Sequence, residues 1–144
     1  MNYQLEIQHL VKDLNNLKDK INKNNFQIQE FKDLLEVSED NFQKAKEEFQ
    51  VQNRQSNSYY LNRYSNLGKQ KKEENLKSAE NDLKLKREFY YENKYGIEKL
   101  TNENMILNEK ILNLEKLIAK ARVDSKKEFD YLEDHKPQLS LHSI

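Results

Sequence analysis

The sequence predicts an all-α protein: a long coiled coil in which two heptad-repeat helical arms are separated by a break in register. Three observations lead to this prediction. Apolar residues recur at alternating three- and four-residue spacings over most of the chain, only two glycines and one proline occur in 144 residues, and charged residues make up 35% of the sequence. A seam formed by the a and d positions of each heptad needs few apolar residues, which suits a chain whose hydrophobic fraction is only 35%.

The first predicted arm covers residues 1–52. Apolar residues occupy every a position of its heptads, from Ile7 to Phe49, and neither glycine nor proline interrupts the arm. The d positions are more mixed and include Asn24 and Ser38. Because the alternating spacings place both sets on one side of a helix, we predict a continuous helix with one narrow apolar seam.

Residues 53–75 interrupt this pattern. The second arm begins one residue out of phase with the first, so the chain either turns back here or continues as a rod with a fault in its register. Gly68 is suited to the position that follows a helix C-terminus. Ser56, Asn57 and Ser58 are each suited to the N-cap of a new helix.

The second predicted arm covers residues 76–135, and its seam is densest from Ile97 to Ala121. Pro137 cannot continue a helix and disfavours helical geometry at the residue before it, so we expect the arm to end shortly before this proline. Residues 136–144 are predicted to form an extended or disordered tail, a kind of segment that can dock on a partner as a strand.

An antiparallel fold-back of the two arms would match several core positions. It sets Asn24 opposite Asn104, so that two buried amides satisfy each other's hydrogen-bonding groups. It also sets Ser38 opposite Tyr90, a small side chain against a large one. These pairings favour a helical hairpin.

The charges beside the seam favour a different arrangement. The hairpin brings Lys20 against Lys110, whereas a parallel pair of identical chains brings Asp13 against Lys18. The parallel pair also sets Asn104 against itself, which is a known way of fixing the register of two helices. We therefore favour an extended rod paired with a second chain, and keep the antiparallel hairpin as the alternative.

In either arrangement the seam residues are the predicted contacts with protein partners, in a homo-oligomer or a hetero-oligomer. The predicted partner interface consists of Leu14, Leu17, Ile21, Ile28, Phe31, Leu35, Ile97, Leu100, Leu107, Ile111, Leu114 and Ile118. Further apolar residues lie beside or outside the seam: Val11, Leu34, Phe89, Leu117, Ile106 and Leu112. They are either scattered surface residues, which are common, or contacts with a further helix.

The residue types argue against catalysis. Cysteine is absent, and no two of the three histidines have the spacing of metal ligands with a third donor nearby. Gly68 and Gly96 stand alone rather than in a phosphate-binding loop, and we interpret Gly96 as a point of close helix approach. Because a helical rod offers no concave pocket, we expect no enzyme activity, no metal or cofactor and no small-molecule substrate.

Nucleic acids and membranes are also excluded as expected partners. The 25 basic and 25 acidic residues are mixed along the chain and give a formal net charge of zero, so no basic surface is expected. We therefore interpret the cluster of Tyr90, Tyr91 and Tyr95 as packing or protein-interface residues rather than base-stacking ones. No apolar run approaches the length of a membrane span and no signal-peptide pattern opens the chain, so we predict no membrane insertion and a cytoplasmic location.

A cysteine-free, glycine-poor heptad protein of this kind is similar in general type to the small coiled-coil components of microtubule-based structures such as cilia. This resemblance, of periodicity and composition, implies a non-enzymatic structural protein that spaces, tethers or docks other proteins in a cytoskeletal assembly. A soluble coiled-coil adaptor or tether in vesicle transport is the alternative. A chaperone subunit resembling prefoldin is a further one, although residues 53–75 lack the alternating apolar strands that such a subunit would need between its helices.

Overall fold

The computed structural model of the protein describes residues 2–56 and 66–134. It contains two helices: α1, Tyr3–Ser56, with 54 residues, and α2, Asn66–Asp134, with 69 residues. Every described residue except Asn2 is helical, so the predicted all-α class is confirmed.

Two parts of the predicted organisation lie outside the described residues. They are the tail of residues 136–144 and the central part, residues 57–65, of the predicted register break. On either side of this central part the chain is helical, as far as Ser56 and again from Asn66, and the extent of the break in register stays a prediction.

The helix ends differ from the sequence-based expectation at two positions. Gly68 lies in the first turn of α2 rather than after a helix C-terminus, and Ser56 is the last residue of α1 rather than an N-cap. The other two N-cap candidates, Asn57 and Ser58, lie outside the described residues. A glycine inside a helix costs only about 1 kcal/mol relative to alanine, which longer-range packing easily offsets. The N-cap that the structure does show is Asn2, whose Oδ1 accepts a hydrogen bond from the backbone N of Leu5 at 3.1 Å.

The chain divides into two compact units, each built from a segment of both helices. The first unit combines the N-terminal part of α1, as far as Asn24, with the part of α2 from Asn102 onward. The second unit comprises residues Asn25–Thr101.

The core of the first unit lies between its two helix segments. Leu14, Ile111 and Ile118 form a buried cluster. The partly buried residues packed against this cluster are Leu10, Val11, Leu17, Ile21 and Leu114. Val11, which the sequence placed beside the seam, therefore belongs to this core.

The two helix segments of the first unit run in opposite directions. Asn24, at the end of its α1 segment, contacts Asn104, near the start of its α2 segment. Tyr3, at the other end of α1, lines a groove together with Lys120 and Asp124 of α2. Residue numbers therefore fall along one helix as they rise along the other.

The second unit also pairs its helix segments in opposite directions. Lys72 Nζ donates a hydrogen bond to Gln55 Oε1 at 2.8 Å. Farther along, Phe42 packs on Tyr90 with ring centroids 5.5 Å apart. The apolar residues buried here are Phe42, Ala45 and Ala79.

These contacts correct the arrangement favoured by the charge pattern. In each unit α1 packs against α2 of the same chain, so the extended rod is wrong for the described residues and the antiparallel alternative holds. The charge argument failed because exposed ion pairs contribute only about 0–1 kcal/mol and because side chains can choose other partners. Lys20 Nζ lies 3.3 Å from Glu103 rather than opposing Lys110.

Candidate protein-interaction surface

A pair of amides lies in the core of the first unit. Asn24 is buried, and its Nδ2 donates a hydrogen bond to Asn104 Oδ1 at 3.0 Å. This pairing is the one expected for the antiparallel alternative. Because a buried amide that loses its partner costs about 1–3 kcal/mol, the bond opposes sliding of one helix along the other.

A second polar layer lies in the second unit. The Ser38 hydroxyl is only 1% exposed and donates to the carbonyl oxygen of Leu35 at 3.0 Å, while Asn93 Nδ2 donates to Ser38 Oγ at 3.4 Å. The structure thus pairs Ser38 with Asn93 and packs Tyr90 on Phe42, while the placement of Ser38 opposite Tyr90 stays a prediction. An amide can satisfy the buried hydroxyl, whereas the Tyr90 ring gains more from its tilted contact with Phe42.

Gly96 allows a close approach between the helices of the second unit, as the sequence analysis interpreted it. A Cβ atom at this position would lie 2.8 Å from Cζ of Phe31. The Phe31 ring thus occupies space that any other residue at position 96 would fill. The contact explains why a residue of low helix propensity lies within α2.

Tyrosine rings line an open groove on α2 in the second unit. The groove has a volume of about 470 Å³ and is lined by Arg87, Glu88, Tyr91, Glu92 and Tyr95. Tyr91 and Tyr95 are one helical turn apart and are 53% and 65% exposed. Exposed tyrosines next to an arginine are typical of protein interfaces, since each ring offers apolar area and a polar hydroxyl.

An apolar stripe follows the outer face of α2 in the first unit. Its residues alternate at four- and three-residue spacings, are all exposed, and are Met105, Glu109, Leu112, Lys116, Ala119 and Val123. We call this set the outer stripe. Its three largest apolar side chains, Met105, Leu112 and Val123, are 63%, 56% and 52% exposed. Such spacing places all six residues on one side of the helix.

The outer face of α1 in the same unit has a different character. At the corresponding spacing it carries one apolar residue, Leu5, followed by Gln8, Lys12, Asn15, Asp19 and Asn22. All of these residues are exposed. Of the two outer faces of the first unit, α2 therefore carries the more apolar one, although Glu109 and Lys116 interrupt its apolar residues. Exposed apolar residues grouped on one helix face are typical of a protein-binding surface.

Sequence reasoning found only part of this surface. It noted Leu112 and the neighbouring Ile106, which is 56% exposed, but not Met105, Ala119 or Val123. The signal was present as a second alternation of four and three residues in α2. It was missed because the seam already accounted for the helical period of this segment.

The end of the second predicted seam is also open. Glu128 and Leu132, expected at seam positions, are both exposed, Leu132 by 60%. They line a groove of about 460 Å³ that also includes Tyr3 and Phe129.

The predicted partner-interface residues are all buried or half-buried within the single chain. Leu14, Leu107, Ile111 and Ile118 are buried, and the others are half-buried: Leu17, Ile21, Ile28, Phe31, Leu35, Ile97, Leu100 and Leu114. The structure thus uses these side chains for packing within one chain, and their contact with another protein stays a prediction.

The charged surface offers little that resembles a reactive centre. Within residues 2–56 and 66–134, no three or more histidine, aspartate or glutamate side chains are grouped so that they could hold a metal ion. Asp40 lies 2.9 Å from Lys44 on α1, and its hydrogen bond and negative charge raise the pKa of that lysine. Both side chains are mostly exposed, as expected for a solvated ion pair one helical turn apart.

Neither described helix has a stretch long and apolar enough to span a membrane. Comparison of the sequence with protein-family models finds no match, and comparisons with curated proteins and with solved structures find none either.

Proposed function

We propose that this protein is a non-enzymatic structural component of a cytoskeletal assembly, in which its paired helices space, tether or dock other proteins. In this proposal α1 and α2 pack as an antiparallel coiled coil, and a microtubule-based structure such as a cilium is the setting suggested by periodicity and composition. The protein acts in the cytoplasm and binds protein partners rather than nucleic acid or a small-molecule substrate.

The outer stripe is the observation that carries this proposal. Large apolar side chains on an otherwise charged helix are costly to leave in water, and burying them against another helix gains about 25 cal/mol for each Å² removed from solvent. The alternating spacing of the stripe suits a helical partner, which inserts its own side chains between those of α2.

A capture experiment with matched variants tests the proposal. The full chain is used to capture partners from a native extract, beside Leu112→Asp, which places a charge in the outer stripe, and Leu5→Asp, the same change on the exposed face of α1. We expect wild type and Leu5→Asp to retain tubulin-associated or other cytoskeletal proteins, and Leu112→Asp to lose them while keeping its helical circular dichroism.

Two outcomes would contradict the proposal. Retention of membrane-coat proteins or of unfolded clients, in place of cytoskeletal proteins, would favour the transport or chaperone alternative. Equal capture by wild type and Leu112→Asp would show that the outer stripe is not the docking surface.

A further inference from the structure

We infer that the outer stripe binds the outer stripe of a second copy of this chain, with the two α2 helices antiparallel and a two-fold axis near Leu112. The inference rests on the proposed function: it names a second copy as the occupant of this surface, so that other proteins are captured by the dimer and a stripe variant loses them by losing the dimer. The apolar content of the stripe, its charges and its side-chain sizes support this arrangement.

The outer stripe is long enough along the helix axis to form an interface between helices. From Met105 to Ala119, the part that an axis at Leu112 pairs with itself, the stripe covers about 21 Å along the helix axis at about 1.5 Å per residue. Met105, Leu112 and Val123 are each more than half exposed. Removing them from water favours association, but this term is non-directional and does not select a partner.

The charges of the stripe select the partner and its direction. Glu109 and Lys116 lie on either side of Leu112, and both are exposed. A parallel second copy in register would set Glu109 against Glu109 and Lys116 against Lys116. An antiparallel copy instead brings Glu109 of each chain near Lys116 of the other, so two attractive pairs form. A stripe with one charge of each sign, three residues before and four residues after its centre, is complementary to itself.

The side-chain sizes fit the same arrangement. With the two-fold axis near Leu112, the two copies of Leu112 meet at the centre. Met105 of each chain then lies opposite Ala119 of the other, a long flexible side chain against a small one. Alternating large and small residues across a helix interface lets the two layers interdigitate.

Glu109 has no charged neighbour one helical turn away on α2. The residues one turn away from Glu109 are Met105 and Asn113, which are uncharged. Reversing the charge at Glu109 therefore removes no ion pair at that spacing within the helix, and its effect on association can be separated from an effect on helix stability.

Charge reversal and its repair test the inference. The mass of the full chain is measured over a range of concentrations by analytical ultracentrifugation, with circular dichroism as a check on folding. We expect wild type and Leu5→Asp to form a dimer and Leu112→Asp to stay monomeric. Glu109→Lys alone or Lys116→Glu alone should weaken dimerisation about tenfold, equivalent to about 1.4 kcal/mol over two ion pairs, and the double reversal should restore it.

The possible failures of this experiment have distinct meanings. A wild-type chain that stays monomeric at all concentrations would overturn the inference, and so would a dimer that is unaffected by either single reversal or not repaired by the double reversal. If the chain is monomeric but Leu112→Asp still loses captured cytoskeletal proteins, the inference fails while the proposed function stands. If the dimer forms as expected but no cytoskeletal protein is captured, the reverse holds.

Discussion

Replacing one asparagine of the buried amide pair should destabilise the first unit. In Asn24→Leu, the Nδ2 group that donates to Asn104 Oδ1 at 3.0 Å is lost, and Asn104 is left facing an apolar side chain. The expected cost is about 1 kcal/mol, the lower end of the range for a polar group that loses a hydrogen bond, because Asn104 is half-buried rather than buried. The double variant Asn24→Leu/Asn104→Leu should recover much of this loss, because replacing both partners by apolar groups is often nearly neutral.

Urea unfolding followed by circular dichroism measures these differences. Protein concentration is held fixed, since any self-association contributes to apparent stability. Asn22→Leu is the matched control: Asn22 lies two residues earlier on the same helix and is exposed, so its replacement should change the free energy of unfolding by no more than about 0.5 kcal/mol. Two results would show that the amides do not form the coupled pair described above. One is that Asn24→Leu and Asn22→Leu destabilise the protein equally; the other is that the double variant loses as much stability as Asn24→Leu and Asn104→Leu lose together.

Three further predictions concern local contacts. Gly96→Val should lower the free energy of unfolding by about 1–3 kcal/mol, because its Cβ would lie 2.8 Å from Phe31 Cζ. Combining it with Phe31→Ala should reduce this loss. An unchanged free energy of unfolding in Gly96→Val would mean that the Phe31 ring moves away freely. Asn2→Ala should cost about 1 kcal/mol, measured by thermal unfolding, because it removes the acceptor for the Leu5 amide; Asn2→Ser should be nearly silent. The chain has no cysteine, so labels at Gln4→Cys and Arg122→Cys report one distance within the first unit. We expect a value set by helix packing at about 10 Å plus the label arms, in labelled chains diluted with unlabelled ones, and a much longer distance would contradict antiparallel packing.

The helices and the buried positions could be predicted from sequence because both depend on one periodic signal. Every a position from Ile7 to Phe49 is buried or half-buried, as expected when the only apolar residues available lie along one side of the helix. Local signals of helix ends were less informative. Gly68 has the propensity of a residue that follows a helix, yet it lies in the first turn of α2, since this preference amounts to only about 1 kcal/mol. Ser56 ends α1 instead of beginning a new helix.

The direction of pairing could not be settled from sequence, because the two signals available for it have unequal weight. Hydrogen bonding between the amides of Asn24 and Asn104 takes place in the core, where an unsatisfied group is expensive. The contacts of Lys20 take place at the surface, where its side chain is 59% exposed and an alternative acid lies within reach. A count of charge pairs gives surface ion pairs the same importance as the hydrogen bond between the core amides. The free-energy cost of an unmatched group is much larger in the core than at the surface.

Antiparallel packing within one chain also changes what the remaining apolar residues imply. Had the seam been reserved for another protein, Leu14, Ile111 and Ile118 would account for association by themselves. In the structure they form the core of the first unit, so association through an intact helix pair must use side chains that this core leaves exposed. In the first unit the outer stripe meets that requirement, and it differs from the polar face of α1 in the same unit. A substitution at Leu112 should therefore alter association without unfolding the pair, whereas one at Ile111, the preceding residue, should unfold the pair first.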